Sequence, residues 1–139
     1  MYLLDTDTLT HLHAGHDRVL QRLLRLQESN VTTSIISKIE VLRGRIEAIR
    51  KAADGEQLLR AQSNFVRSET LLEELVIVPI DPKAARIFDF LRKAPGVKKI
   101  GHADLMIASL ALSHSAVLVT RNLRHFTKVP HLQVENWVD

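Results

Sequence analysis

The chain contains no cysteine. Disulfides, thiolate zinc sites and a thiol nucleophile are therefore excluded, and the absence accords with a reducing, cytoplasmic setting. Long apolar runs are missing too. Met1 leads straight into Tyr2-Leu3-Leu4-Asp5, without the basic start and apolar stretch of a signal peptide or the length of a membrane span. A cytoplasmic protein with no membrane association is the expectation. Repeats, low-complexity tracts and linker-like segments are also lacking, so the 139 residues read as a single domain over 1–139. With 45% apolar and 25% charged residues, the composition is that of a folded globule rather than a disordered chain.

Acids are scarce in one stretch. Residues 1–90 are nearly balanced, with 12 basic and 13 acidic side chains. Between Arg92 and Lys128 the only acid is Asp104, amid Lys93, Lys98, Lys99, Arg121 and Arg124. A polyanionic partner is one reason for such a bias; a solvated basic face is the plainer one.

What is present alternates. Short β-branched or aliphatic runs predict strands at Tyr2–Leu4, Val31–Thr33, Val76–Ile80, Val117–Thr120 and Leu132–Val134. Helical spacing predicts helices between them. One runs from Asp17 to Glu28. A second is capped by Ser34, with an apolar stripe of Ile39, Leu42, Ile46 and Ile49. A third covers Leu58 to Leu75, behind Asp54-Gly55, and a fourth runs from Pro82 to Arg92. The fifth, from His102 or Ala103 to near His114, contains Leu105-Met106-Ile107-Ala108-Ser109-Leu110-Ala111-Leu112. A helix apolar on nearly all sides is buried. The pattern predicts an α/β fold, a mainly parallel sheet with helices on both faces.

That topology gathers scattered residues. In a parallel α/β sheet, helix N-termini and strand C-termini meet at one edge, where ligands bind. Asp5 directly follows the first strand, and Glu40 lies in the second turn of the helix after the second. Asp104 opens the helix that leads by a very short link into Val117–Thr120, and Asn122 lies just beyond that strand. Each has an ordinary reading: Asp5 as a cap or turn residue, Glu40 as a solvated charge, Asp104 as a partner of the helix dipole, Asn122 as a loop residue. Together they form a pocket of carboxylates that repel one another and lose solvation. Hard oxygen donors without histidine or cysteine favour Mg²⁺ or Mn²⁺. Such an ion can activate water against a phosphodiester. His11, His13 and His16 suggest a different metal site, but positions 11 and 13 do not face each other on a helix. They read as loop or surface histidines, and Trp137 reads as a packing anchor.

These residues also carry a resemblance. Leu3-Leu4-Asp5-Thr6-Asp7, Thr33 to Gly44 with its Glu40, Ile100-Gly101-His102-Ala103-Asp104-Leu105-Met106-Ile107-Ala108, and Val117-Leu118-Val119-Thr120-Arg121-Asn122 followed by Phe126, Pro130 and Glu135-Asn136-Trp137 resemble, in order, the motifs of PIN-domain ribonucleases. The likeness is strongest to the VapC-type toxins of toxin–antitoxin modules. The resemblance implies a three-layer α/β/α sandwich with four or five strands in the sheet. It also implies a Mg²⁺- or Mn²⁺-dependent endoribonuclease, neutralised by a VapB-type antitoxin and usually a homodimer. Asp5, Glu40 and Asp104 match the family's acidic positions. The fourth falls at Asn122, which keeps a carbonyl donor and loses a charge, weakening the case for a second ion. Asp7 adds a nearby acid. Thr6 and Thr120 are expected to support the carboxylates, and Lys98, Lys99, Arg121 and Arg124 to hold the RNA backbone. Two rival readings stand beside this one. A catalytically weak domain would bind RNA or an antitoxin without cutting. Asp5-Thr6-Asp7 also resembles the nucleophile motif of haloacid-dehalogenase-like phosphohydrolases, although Leu9 stands where that motif needs Thr or Val.

Overall fold

The computed structural model describes residues 1–26 and 30–139. Its centre is a five-stranded sheet: β1 (Tyr2–Leu4), β2 (Val31–Ser34), β3 (Val76–Val78), β4 (Val117–Val119) and β5 (Gln133–Glu135). The order is β3-β2-β1-β4-β5, with every neighbouring pair parallel. β1 lies between β2 and β4, with Leu4 opposite Thr33 on one side and Val119 on the other. The chain winds outward from β1 in both directions, so the β1/β4 boundary is where strand order reverses. A crevice opens at such a point beyond the strand C-termini.

Seven helices complete the described chain: α1 (Thr6–His13), α2 (Asp17–Arg25), α3 (Ile35–Arg50), α4 (Gly55–Glu74), α5 (Pro82–Lys93), α6 (His102–Ser113) and the short α7 (Leu123–Phe126). Four begin on side-chain caps, each accepting a backbone N–H: Asp5 from Thr8 at 2.8 Å, Ser34 from Ser37 at 2.9 Å, Asp54 from Gln57 at 2.8 Å and Asp81 from Ala84 at 2.7 Å. Such a cap satisfies a donor the helix cannot pair internally. Pro82 opens α5, where its missing N–H costs nothing. Between α6 and β4, Ser115 adopts a left-handed φ of 50°, which makes the reversal tight.

Alternation along the strands separates two cores. On one face Leu3, Leu118 and Val78 pack with α5, α6, Phe126 and Val129; on the other Leu4, Val31 and Val119 pack with Leu12, Val19 and Trp137. In α6, Leu105 and Ile107 to Ala111 are buried, as its composition predicts. Trp137 is buried as well, donating its indole N–H to Glu135 at 2.9 Å.

Several boundaries differ from the sequence reading. The strand expected at Val76–Ile80 stops at Val78, before Pro79, and that at Val117–Thr120 stops at Val119. The last strand is Gln133–Glu135 rather than Leu132–Val134, and α4 starts at Gly55, three residues before Leu58. The helix from Asp17 is described to Arg25; its expected end, Glu28, lies outside the described residues. Two helices, α1 and α7, were not foreseen. His11 and His13 therefore sit on a helix, not in a loop. The stripe on α3 is also corrected: Ile39 and Ile46 are 49% and 47% exposed, and the buried residues of that helix are Ile36 and Ser37.

Candidate active site

Asp5 is set by its position at the centre of the sheet. Its backbone N–H donates to the Val119 carbonyl at 3.0 Å, which ties the end of β1 to the end of β4. Its side chain caps α1 and is 6% exposed. Burial pushes this carboxyl above the usual range, and the negative charge of Asp7 adds to the rise. Hydrogen bonds from the Thr120 hydroxyl and the Thr8 amide oppose it. Thr120 is fully buried and also accepts the Asn122 N–H at 3.0 Å, so it joins both strand ends to the site.

Glu40 projects from the second turn of α3 and is exposed. Its carboxylate accepts a 2.6 Å hydrogen bond at Oε1 from the Thr6 hydroxyl, in the first turn of α1. The Thr6 hydroxyl oxygen also lies 3.0 Å from Ser37 Oγ, which lies 3.2 Å from Ser34 Oγ. Three hydroxyls thus run from the end of β2 to Glu40, and Ser34 and Ser37 are fully buried. Thr6 thus contacts Glu40, and Ser37 is an addition that sequence reasoning missed. Its signal was available in the three-residue spacing from the Ser34 cap.

Asp104 occupies the first turn of α6, half-buried. Its carboxyl is pushed up first by loss of solvent and then by the negative charges of Asp5 and Glu40; His125 pulls the other way. Three acids from three elements thus meet within Coulombic reach. Asn122 is positioned by Thr120, but its amide pairs with His125, Nδ2 lying 3.0 Å from Nδ1. His125 is therefore the second residue that sequence reasoning missed. It sits on α7, the short helix that no periodicity announced.

The expected supporting residues divide. Asp7 is exposed and stands 3.6 Å from His11 Nδ1. Arg121 pairs with Asp139 at the surface through two 3.4 Å hydrogen bonds. Lys98, Lys99 and Arg124 are exposed.

The donor set suits a hard cation. Asp5, Glu40 and Asp104 present only carboxylate oxygen, and a positive charge would relieve both the desolvation and the repulsion that raise Asp104. Among the described residues, no three acidic or imidazole side chains are drawn into a ready-made coordination sphere.

Comparison with known proteins agrees with this architecture. The PIN domain family model matches residues 2–132. The chain is 31% identical to Ribonuclease VapC2 of Rickettsia felis, over 99% of this chain and 98% of the relative. It is 27% identical to the tRNA(fMet)-specific endonuclease VapC of Salmonella typhimurium, over 98% and 97%. Among solved structures, VapBC2 from Rickettsia felis bound to a DNA fragment from its promoter superimposes with a TM-score of 0.79 at 28% identity, covering 98% of each chain. DNA-bound VapBC from Salmonella typhimurium gives 0.82 at 26% identity, covering 98% and 97%. With its sheet order, its switch-point acids and these relatives, the chain belongs to the PIN-domain family.

Proposed function

We propose that this chain is a Mg²⁺- or Mn²⁺-dependent endoribonuclease and the toxin of a toxin–antitoxin pair, with Asp5, Glu40 and Asp104 as its metal-binding acids. What supports the reading most is Asp104: burial and then the negative charges of both Asp5 and Glu40 push its carboxyl above the usual range, although the three come from three separate elements. A folding enzyme has little other reason to press like charges together at a crevice. The relatives named ribonuclease and endonuclease supply the reaction class.

The ion, when bound, supplies Lewis acidity and lowers the pKa of its water. The chain's own residues do the rest. Thr8 and Thr120 hold Asp5 by hydrogen bonds, so its orientation is fixed before substrate arrives. Thr6 holds one oxygen of Glu40 and leaves the other free to orient the attacking water. Asn122 and His125 close the β4 side of the crevice. Lys98, Lys99 and Arg124 contact backbone phosphates without reading sequence. In-line attack of water on phosphorus breaks the bond to the 3′ oxygen, which takes a proton, and leaves 5′-phosphate and 3′-hydroxyl ends.

The partner follows from the relatives crystallised as VapBC complexes. A VapB-type antitoxin and a second copy of the chain are the expected protein partners. Exposed apolar side chains on α3 and α4, such as Ile39, Ile46 and Leu59, are available for such contacts. The test is cleavage of an RNA mixture by the purified chain. The reading requires activity with Mg²⁺, none in EDTA, and none for Asp104→Asn at either condition. Cleavage that persists in EDTA would overturn it. Folded protein that binds RNA in Mg²⁺ without cutting it would favour the non-catalytic reading.

A further inference from the structure

Asn122 stands where a helix cap is expected and does not act as one. It is the N-cap residue of α7, yet its side chain makes no cap hydrogen bond. Asparagine at that position ordinarily accepts a first-turn N–H through its amide oxygen, and Asp5, Ser34, Asp54 and Asp81 all make that bond to the helices they open. Here the amide turns its other end to the helix: Nδ2 lies 3.0 Å from His125 Nδ1. An amide NH₂ only donates, so Nδ1 accepts and the ring proton sits on Nε2. The hydrogen bonds of Asn122 to the described residues run through its backbone and Nδ2, and none engages Oδ1. Nor is that oxygen sealed in the core. Among the described residues, His16 Nδ1 is the only buried side-chain polar atom without a partner, so Oδ1 is open to solvent.

The pair also sits between the acids. The Asn122 N–H donates to the Thr120 hydroxyl at 3.0 Å, and that hydroxyl bonds the Asp5 carboxyl. On the other side, His125 is near enough to Asp104 for its protonated form to pull that carboxyl down. Asn122 and His125 therefore link the Asp5 side of the crevice to the Asp104 side.

What this arrangement decides is which end of the amide stays uncommitted. A carbonyl oxygen is a hard donor that suits Mg²⁺ or Mn²⁺, whereas an amide NH₂ has no lone pair to offer a cation. An amide free to turn over would offer either end; one whose Nδ2 is held by the imidazole offers only Oδ1. We infer that His125 is a positioning residue, which fixes the Asn122 amide so that its carbonyl oxygen is presented to the acid cluster. It acts through Asn122 alone. The inference rests on the metal-dependent nuclease reading above, and it accounts for a neutral side chain at the fourth of the family's acidic positions.

The test is a double-mutant cycle on the full chain, read as Mn²⁺ affinity with the free ion followed by electron paramagnetic resonance. His125→Ala should weaken binding about 10-fold or more, the range for loss of a supporting hydrogen bond. His125→Asn, whose side-chain oxygen lies near the place of Nδ1, should recover most of that loss. Asn122→Asp supplies two equivalent oxygens, so orientation ceases to matter. On that background His125→Ala should change the affinity by about twofold at most. A general loss of packing would weaken both backgrounds alike, and such equal losses would overturn the inference. So would an unchanged affinity in His125→Ala, or a His125→Asn as weak as His125→Ala; with a parent that binds Mn²⁺, these results leave the nuclease reading intact. A parent that binds no Mn²⁺ would overturn both. Circular dichroism melting establishes that each variant is folded, and His125→Leu, which keeps bulk without an acceptor, takes the place of His125→Ala if the latter unfolds.

Discussion

At the scale of single residues, Asp5 has two roles that substitutions can separate. It caps α1, and it is a buried acid at the crevice. Asparagine caps a helix about as well as aspartate, whereas alanine costs about 1 kcal/mol. Asp5→Asn is therefore expected to abolish RNA cleavage with a melting temperature close to that of the parent, and Asp5→Ala to lose both. Equal destabilisation by the two substitutions would show that the cap is not what holds this residue. Asp104 carries a pH prediction. Its folded-state pKa is raised, so the folded chain binds the proton more tightly than the unfolded chain does. A raised carboxyl favours folding at low pH, and that advantage disappears as pH climbs from the ordinary carboxylate range through the folded value. In EDTA at neutral pH, Asp104→Asn should thus melt no lower than the parent, and the difference should vanish in acid. A clearly lower melting temperature for Asp104→Asn at neutral pH would contradict the repulsion described here.

At the scale of elements, the site depends on how α1 is fastened to α3. Thr6→Val removes the hydroxyl that holds Glu40 and keeps the side-chain shape. Loss of such a supporting hydrogen bond costs 10–100-fold in activity or metal affinity, roughly; steady-state cleavage rates over a Mg²⁺ titration would measure it. Ser34→Ala removes the cap of α3 and the end of the hydroxyl run. It should cost about 1 kcal/mol in denaturant unfolding.

These same elements show what the sequence could and could not reveal. α6 was legible because a helix apolar all round has few alternatives to burial. Ser34 was legible because a hydroxyl before an apolar period is a start signal. α1 was not: Thr6, Thr8 and Thr10 are β-branched residues with weak helix preference, and the helix is held by tertiary bonds, such as that from the Thr8 hydroxyl to the Val119 carbonyl at 3.2 Å. The α3 stripe was misread because periodicity shows that a helix has an apolar face but does not say what covers it; Ile39 and Ile46 stay half-exposed. Asp5, Glu40 and Asp104 could be placed at one edge from topology alone. The pairing of the Asn122 amide with His125 and of Arg121 with Asp139 required side-chain positions that no spacing encodes.

At the scale of the whole molecule, a doubly wound sheet brings together acids that are almost a hundred positions apart, from Asp5 to Asp104. The sheet holds them there because Leu3, Leu4, Leu118 and Val119 are buried on its two faces. Among the described residues, no helix is long and apolar enough to cross a membrane. Because a ligand that binds only the folded state stabilises it by mass action, Mg²⁺ at a hundred times its dissociation constant should add about 2.7 kcal/mol to the parent. Asp104→Asn should gain far less, as read by thermal unfolding with and without the ion.

The most direct measurement is a Mn²⁺ titration of the full chain, with free ion followed by electron paramagnetic resonance. The account predicts saturable binding by the parent that is lost or greatly weakened in each of Asp5→Asn, Glu40→Gln and Asp104→Asn, all folded by circular dichroism. Binding of equal strength in the parent and all three variants, or none in the parent, would contradict it.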